Sequence, residues 1–267
     1  MYKIISMKRI LIFVCLVSLL ACGNRNKQNE TQEAEVTFEE AAINILQLYQ
    51  DVDPQFAAKR NEIYLLMLKH TEPQSEVTED DKNYFLRNIT HIDSVVNQGV
   101  TLVKDGKIKD LSTLLKGEIM NFYAHPHNTL DNELLLHKLI EELFYQTADT
   151  YEEYVKEVIY LNDYTILHME TLEDKHPEYN TILIEQTCNC IEVSFYDKAI
   201  VYGDKLCSYV KENGDVEGKI YAALLLAKAY EKAGNIEQSD SIINSVKQLP
   251  QYAKCLGEVK QISIFKD

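Results

Sequence analysis

"TILIEQTCNCIEVSFYDKAIVYGDKLCSY" (residues 181–209) and "YAALLLAKAYEKAGNIEQSDSIINSVKQL" (residues 221–249) lie on each other without a gap when the chain is slid along itself by 40 residues. Each stretch carries two apolar-periodic runs separated by a short corner, the pattern of a helical hairpin. Nine glycines and five prolines in 267 residues leave few breakers, and Leu, Ile, Glu, Lys, Ala and Tyr dominate, a composition that favours helices. Working upstream, "TFEEAAINILQLYQ" (37–50) places Thr37 and Glu40 in capping-box spacing, with Ala41, Ile45 and Leu48 on one face. "DPQFAAKRNEIYLLMLKH" (53–70) sets Asp53 as a cap and Pro54 at the first helical position, with Ile63, Leu66 and Met67 as its stripe. Further helices are expected over 79–98, 108–124, 129–147, 149–173, 178–193, 196–212, 217–233 and 236–249, and no segment alternates as a strand would. The expected fold class is therefore all-α.

The two 40-residue units resemble tetratricopeptide repeats. That family places an apolar and a small residue at positions 7 and 8 and an aromatic at 11, then a tight corner, then small, aromatic and small residues at 20, 24 and 27. In the second unit Leu226, Ala227, Tyr230, Gly234, Ser239, Ile243 and Val246 occupy those positions, with Pro250 close behind. In the first, Ala199 and Leu206 match and "SFYDKA" supplies the corner, whereas Gln186, Thr187 and Cys190 depart from the pattern. The resemblance covers about 70 residues. It implies helical hairpins stacked as an α-solenoid, degenerate in its N-terminal half. Such a stack needs at least about three layers for stability, so helices upstream of 178 are expected to complete it. Repeats of this family usually bind partners along the face made by first helices. On this sequence those positions are Thr181, Ile184 and Cys188 in one unit and Tyr221, Leu224, Lys228 and Glu231 in the next.

At the other end, an apolar run from Ile10 to Leu20 follows Lys3, Lys8 and Arg9 and ends in Leu19-Leu20-Ala21-Cys22. The run is shorter than the roughly 20 residues a membrane-spanning helix needs, and it has the layout of a secretory signal peptide. Leu19–Cys22 resembles the lipobox of bacterial lipoproteins. The resemblance implies a signal peptide over 1–21, a mature chain beginning at a lipidated Cys22, and anchorage by acyl chains that each gain about 0.8 kcal/mol per buried methylene. The expected location is the bacterial outer membrane, with the periplasmic and surface faces both open. Residues 22–36 are polar and read as a flexible tether with a reach of roughly 20 Å. Two folded regions are expected beyond it, 37–177 and 178–267.

Losing residues 1–21 removes three cations and no acid, which takes the formal net charge from −15 to −18. That balance excludes nucleic acid as a partner, since phosphate binding draws its affinity from Lys and Arg. Walker loops, nucleophile elbows, dinucleotide turns and Cys-x-x-Cys pairs are absent from the sequence, and neither an enzyme nor a cofactor is expected. An alternative reading places a metal-dependent enzyme, or a metal- or glycan-binding protein, on "HPH" (His125, His127) and "ELLLH" (Glu133, His137), whose residue types suit zinc. Cys188 and Cys190 lie about 200° apart around one helix and cannot pair with each other. A Cys190–Cys207 link across the first hairpin and unpaired thiols at Cys188, Cys190, Cys207 and Cys255 both remain open. The function expected is that of a non-catalytic, membrane-anchored envelope scaffold that holds a protein or peptide on its helical repeats.

Overall fold

The computed structural model describes residues 37–49, 57–71, 73–74, 76–84, 91–123, 129–171 and 176–266. Among these residues every regular element is a helix. No helix among them is long and apolar enough to cross a membrane. The chain divides between Thr147 and Ala148 into two compact units. The boundary expected at 177/178 falls inside the second unit, because the helix Tyr151–Glu170 packs along the helix Tyr179–Glu192. The expected signal peptide, the expected lipidation site Cys22 and the expected tether lie outside the described residues.

The first unit holds α1 (Phe38–Gln47), α2 (Ala57–Thr71), α3 (Glu79–Lys82), α4 (His91–Lys104), α5 (Ile108–Tyr123) and α6 (Leu130–Thr147). The capping box read from the sequence opens α1: Glu40 N donates to Thr37 Oγ1 at 3.2 Å, and Thr37 N donates to Glu40 Oε2 at 3.0 Å. The helix expected over 79–98 is divided, since α3 ends at Lys82 and α4 begins at His91. Contacts run from α1 to α4, α4 to α5, α5 to α6 and α6 back to α1, a closed ring around Leu46, Val96, Leu111, Leu115, Leu136 and Leu139. Tyr49 closes it: its ring meets Phe122 edge-on at 4.9 Å, and its hydroxyl donates to Asn132 O at 2.8 Å. Stacked hairpins do not bring their first and last helices together, so these four helices form a bundle where a degenerate stack was expected.

The second unit comprises α7 (Tyr151–Glu170), α8 (Tyr179–Glu192), α9 (Tyr196–Asn213), α10 (Val216–Lys232), α11 (Ile236–Val246), α12 (Tyr252–Val259) and a 3-10 turn, Ser263–Phe265. Each helix from α7 to α11 packs on the next, and α8 also meets α10, which in turn meets α12. Thr150 caps α7 and Asp215 caps α10, the latter accepting from Gly218 N at 2.7 Å. The hairpins expected from the 40-residue offset are α8–α9 and α10–α11. The helix α12 has no counterpart among the expected elements.

Candidate functional site

The two corners that aim α8–α9 and α10–α11 share one geometry, residue for residue. Ser194 has φ 64° and Gly234, 40 residues later, has φ 82°. Phe195 N bonds back to Cys190 O at 2.8 Å, and Asn235 N to Tyr230 O at 2.9 Å. Ser194 N reaches Ile191 O at 3.2 Å, and Gly234 N reaches Glu231 O at 3.0 Å. This is the left-handed helix ending in which two successive N–H groups satisfy orphan carbonyls of the last turn. Glycine adopts it freely, whereas serine does so at a cost. The next helices then start at Tyr196 and Ile236, again 40 apart. Ala199 and Ser239, the small residues expected at the tight contact of each pair, are both buried, as are Ala227 and Thr187 at the facing position.

This framework sets the exposure of the predicted docking residues. On α8, Thr181 is exposed and Ile184 and Cys188 are half-buried; on α10, Tyr221 is half-buried and Glu231 exposed. Leu224 and Lys228 differ from expectation, with relative exposures of 3% and 6%. The cause is α12: Leu224 lies in a cluster with Ile220, Ala223, Val246, Cys255 and Val259, which Tyr252, Leu256, Ile262 and Phe265 cover. Lys228 keeps its charge satisfied through Glu231 Oε1 at 2.9 Å and lies 5.8 Å from the centre of the Phe265 ring. The signal for this cover was present in the sequence, since Tyr252, Cys255, Leu256 and Val259 follow i, i+3, i+4, i+7 spacing.

A buried polar cluster at the α7–α8–α9 junction had no sequence signature. Asp163 Oδ1 accepts from Gln186 Nε2 at 2.7 Å and from the Tyr202 hydroxyl, while its Oδ2 pairs with Lys198. Gln186 also donates to Ile159 O at 2.9 Å. Burial, and then Asp163, hold the Tyr202 phenol above its ordinary range. A second set lies along the same helices: Glu170 Oε1 accepts from Tyr179 at 3.0 Å and from Lys205 at 2.7 Å. Beside Asp163, Asn162 is wholly buried, and neither polar atom of its amide has a partner among the described residues.

The chemistry open to these groups is narrow. All four described thiols are unpaired, and burial pushes Cys188 and Cys190 up to about 12 and Cys207 up to about 11. Thiols so protonated are poor nucleophiles and poor metal ligands. His125 and His127 lie outside the described residues. Glu133 and His137 are both buried on α6, and burial lowers His137 to about 3, so its imidazole is neutral. Among the described residues no three His, Cys, Asp or Glu side chains gather as a metal site. No protein-family model, curated protein or solved structure matches the chain.

Proposed function

We propose that this protein is a lipid-anchored envelope scaffold that binds a protein or an extended peptide on the first-helix face of its second unit, with no catalytic step of its own. The observation that carries the reading is the 40-residue interval: corners, helix starts and the buried small residues Ala199 and Ser239 recur at that spacing in α8–α9 and α10–α11, whereas the helix ending alone also occurs at Gly106. A repeated hairpin places equivalent side chains in a row, and the tetratricopeptide-like spacing supports partner capture along it. Thr181, Ile184 and Cys188 on α8 and Tyr221 and Glu231 on α10 are the positions that retain exposure there. Leu224 and Lys228 support the face from beneath. The acidic balance of the chain favours a partner with basic or apolar character. Anchorage rests on Cys22, and the outer membrane is the location this reading assigns.

Photocrosslinking amino acids at Thr181 and at Glu231, with Val201 on α9 as an exposed control, test the face in the native host. Crosslinks to one envelope protein from 181 and 231 and none from 201 are the expected result. Equal yields at all three positions defeat the docking face. Anchorage is tested separately by Cys22→Ser, which is expected to leave the precursor unprocessed; normal processing and membrane retention of that variant would refute lipidation.

A further inference from the structure

Residues 260–266 leave the end of α12 and turn back over the first helices. The turn Ser263–Phe265 lies against α8. Ser263 Oγ donates to Glu192 Oε1 at the last residue of α8, a carboxylate that also accepts from Tyr151 through Oε2 at 2.9 Å. Phe265 lies below Lys228 of α10, Ile262 and Phe265 pack on the Leu224 cluster, and Ile264 is 7% exposed. The backbone bonds of the segment stay within it or reach back to the end of α12: Ile262 N reaches Val259 O at 2.9 Å, Phe265 N reaches Ile262 O at 3.1 Å, and Lys266 N reaches Ser263 O at 3.0 Å. A short run thus crosses α10 to α8, and among the described residues side chains join it to those two helices. The order apolar, hydroxyl, apolar, aromatic meets a carboxylate on one helix and an ammonium above the ring on the other.

We propose that Gln261–Lys266 is a strap that covers the part of the first-helix face between Glu192 and Lys228 in the resting protein, beside the positions that stay exposed, and that a partner binds by presenting a peptide of the same chemistry in its place. The proposal rests on the scaffold reading above, and it names the ligand class: a short apolar segment with a hydroxyl residue two positions before an aromatic one. Lys228 selects the aromatic, because the ring's negative face attracts a cation that is itself shielded from water. Glu192 selects the hydroxyl, as an ionised acceptor makes the stronger hydrogen bond. A tethered segment competes with any free peptide at an effective concentration on the order of millimolar, so the resting chain holds the part of the face between Glu192 and Lys228 closed to weak ligands.

The test uses the intact chain in detergent and a fluorescent peptide with the sequence of residues 261–266, Gln-Ile-Ser-Ile-Phe-Lys, against a scrambled control. Ile264→Ser with Phe265→Ala releases the strap. Fluorescence anisotropy is expected to show the released variant binding the peptide at least about tenfold more tightly than wild type. Adding Glu192→Gln to the released variant is expected to reverse most of that gain. Equal affinity in wild type and variant overturns the proposal, as does absence of binding by a released variant that still melts as a helical body. Should the variant lose its melting transition, hydrogen exchange on the wild-type chain decides: millimolar peptide must speed exchange at residues 262–266, and unchanged exchange there overturns the strap. Crosslinking from Thr181 and Glu231 in the same two proteins keeps the conclusions apart. Partner capture without any peptide preference removes the strap and leaves the scaffold.

Discussion

Replacing Asp163 with alanine is expected to destabilise the second unit by about 3–5 kcal/mol, the usual cost of stranding one side of a buried charged cluster. Three donors converge on this carboxylate, and they do not count equally. Lys198 has a side chain 36% exposed and can turn to water, so its loss contributes little. Gln186 and Tyr202 are fully buried and cannot be rehydrated in place. Each leaves a charge-assisted bond of about 1.5–3 kcal/mol, and that pair accounts for most of the total. Asp163→Asn keeps one acceptor oxygen and is expected to cost about half as much. Urea unfolding followed by circular dichroism reads the change: with a slope of about 2 kcal/mol per molar, the alanine variant shifts the midpoint down by roughly 2 M at unchanged slope. Adding Gln186→Leu supplies the residue found at the equivalent place, Leu226, and removes one stranded donor; it is expected to restore at least about 1 kcal/mol. A midpoint shift under 0.5 M for Asp163→Ala, or no restoration by Gln186→Leu, refutes the argument that this cluster ties α7 to α8 and α9.

Three further outcomes follow from the same reasoning. Ser194→Gly is expected to stabilise the chain by about 1 kcal/mol and Gly234→Ala to destabilise it by about as much, because both positions hold positive φ; thermal melts showing the same sign for both would break the equivalence of the corners. Burial lowers the His137 imidazole to about 3, below its ordinary value of 6.5, so it is neutral in the fold, the unfolded chain takes up the proton first, and stability falls as pH drops below about 6.5. The slope contributed is up to about 1.4 kcal/mol per unit, and His137→Gln should flatten urea midpoints measured between pH 6.5 and pH 5. Ala227→Leu is expected to overpack a position 1% exposed and cost about 1–3 kcal/mol, seen as a lowered melting temperature.

Much of the helical content is legible because it is written in local terms. Thr37 with Glu40 announces the start of α1, and the starts of the second helix of each hairpin, at Tyr196 and Ile236, follow from short corners and apolar period. What covers an apolar stripe is not local. The stripe containing Leu224 marks a face that must be buried, yet nothing in residues 216–232 says whether a partner or α12 buries it. The ring of α1, α4, α5 and α6 is hidden for the same reason, since Ala41, Ala42, Ile45 and Leu46 show only that α1 is apolar. Asp163 and Gln186 each look like exposed polar residues of a helix. They become a cluster only when α7 is laid on α8, across 23 residues of sequence.

The departures from the repeat pattern in the first hairpin have a common physical origin at that same contact. In the second hairpin, Leu226 packs against Gly203 of the preceding helix so closely that a methyl group on Gly203 would lie 2.9 Å from Leu226 Cδ1. Forty residues upstream the pair is Asp163 and Gln186, and they too are in contact, at 2.7 Å. The helix α7 therefore stands to α8 as α9 stands to α10, although self-alignment of the sequence does not reveal it. Where glycine lets leucine approach in one layer, a carboxylate meets an amide in the other, and a hydrogen bond replaces an apolar contact at the same place. Polar substitution at position 186 then requires a polar partner at 163, and Tyr202 and Lys198 complete the satisfaction of the charge. The 40-residue period is thus a property of helix placement that extends one helix beyond the part of the sequence where side chains still display it.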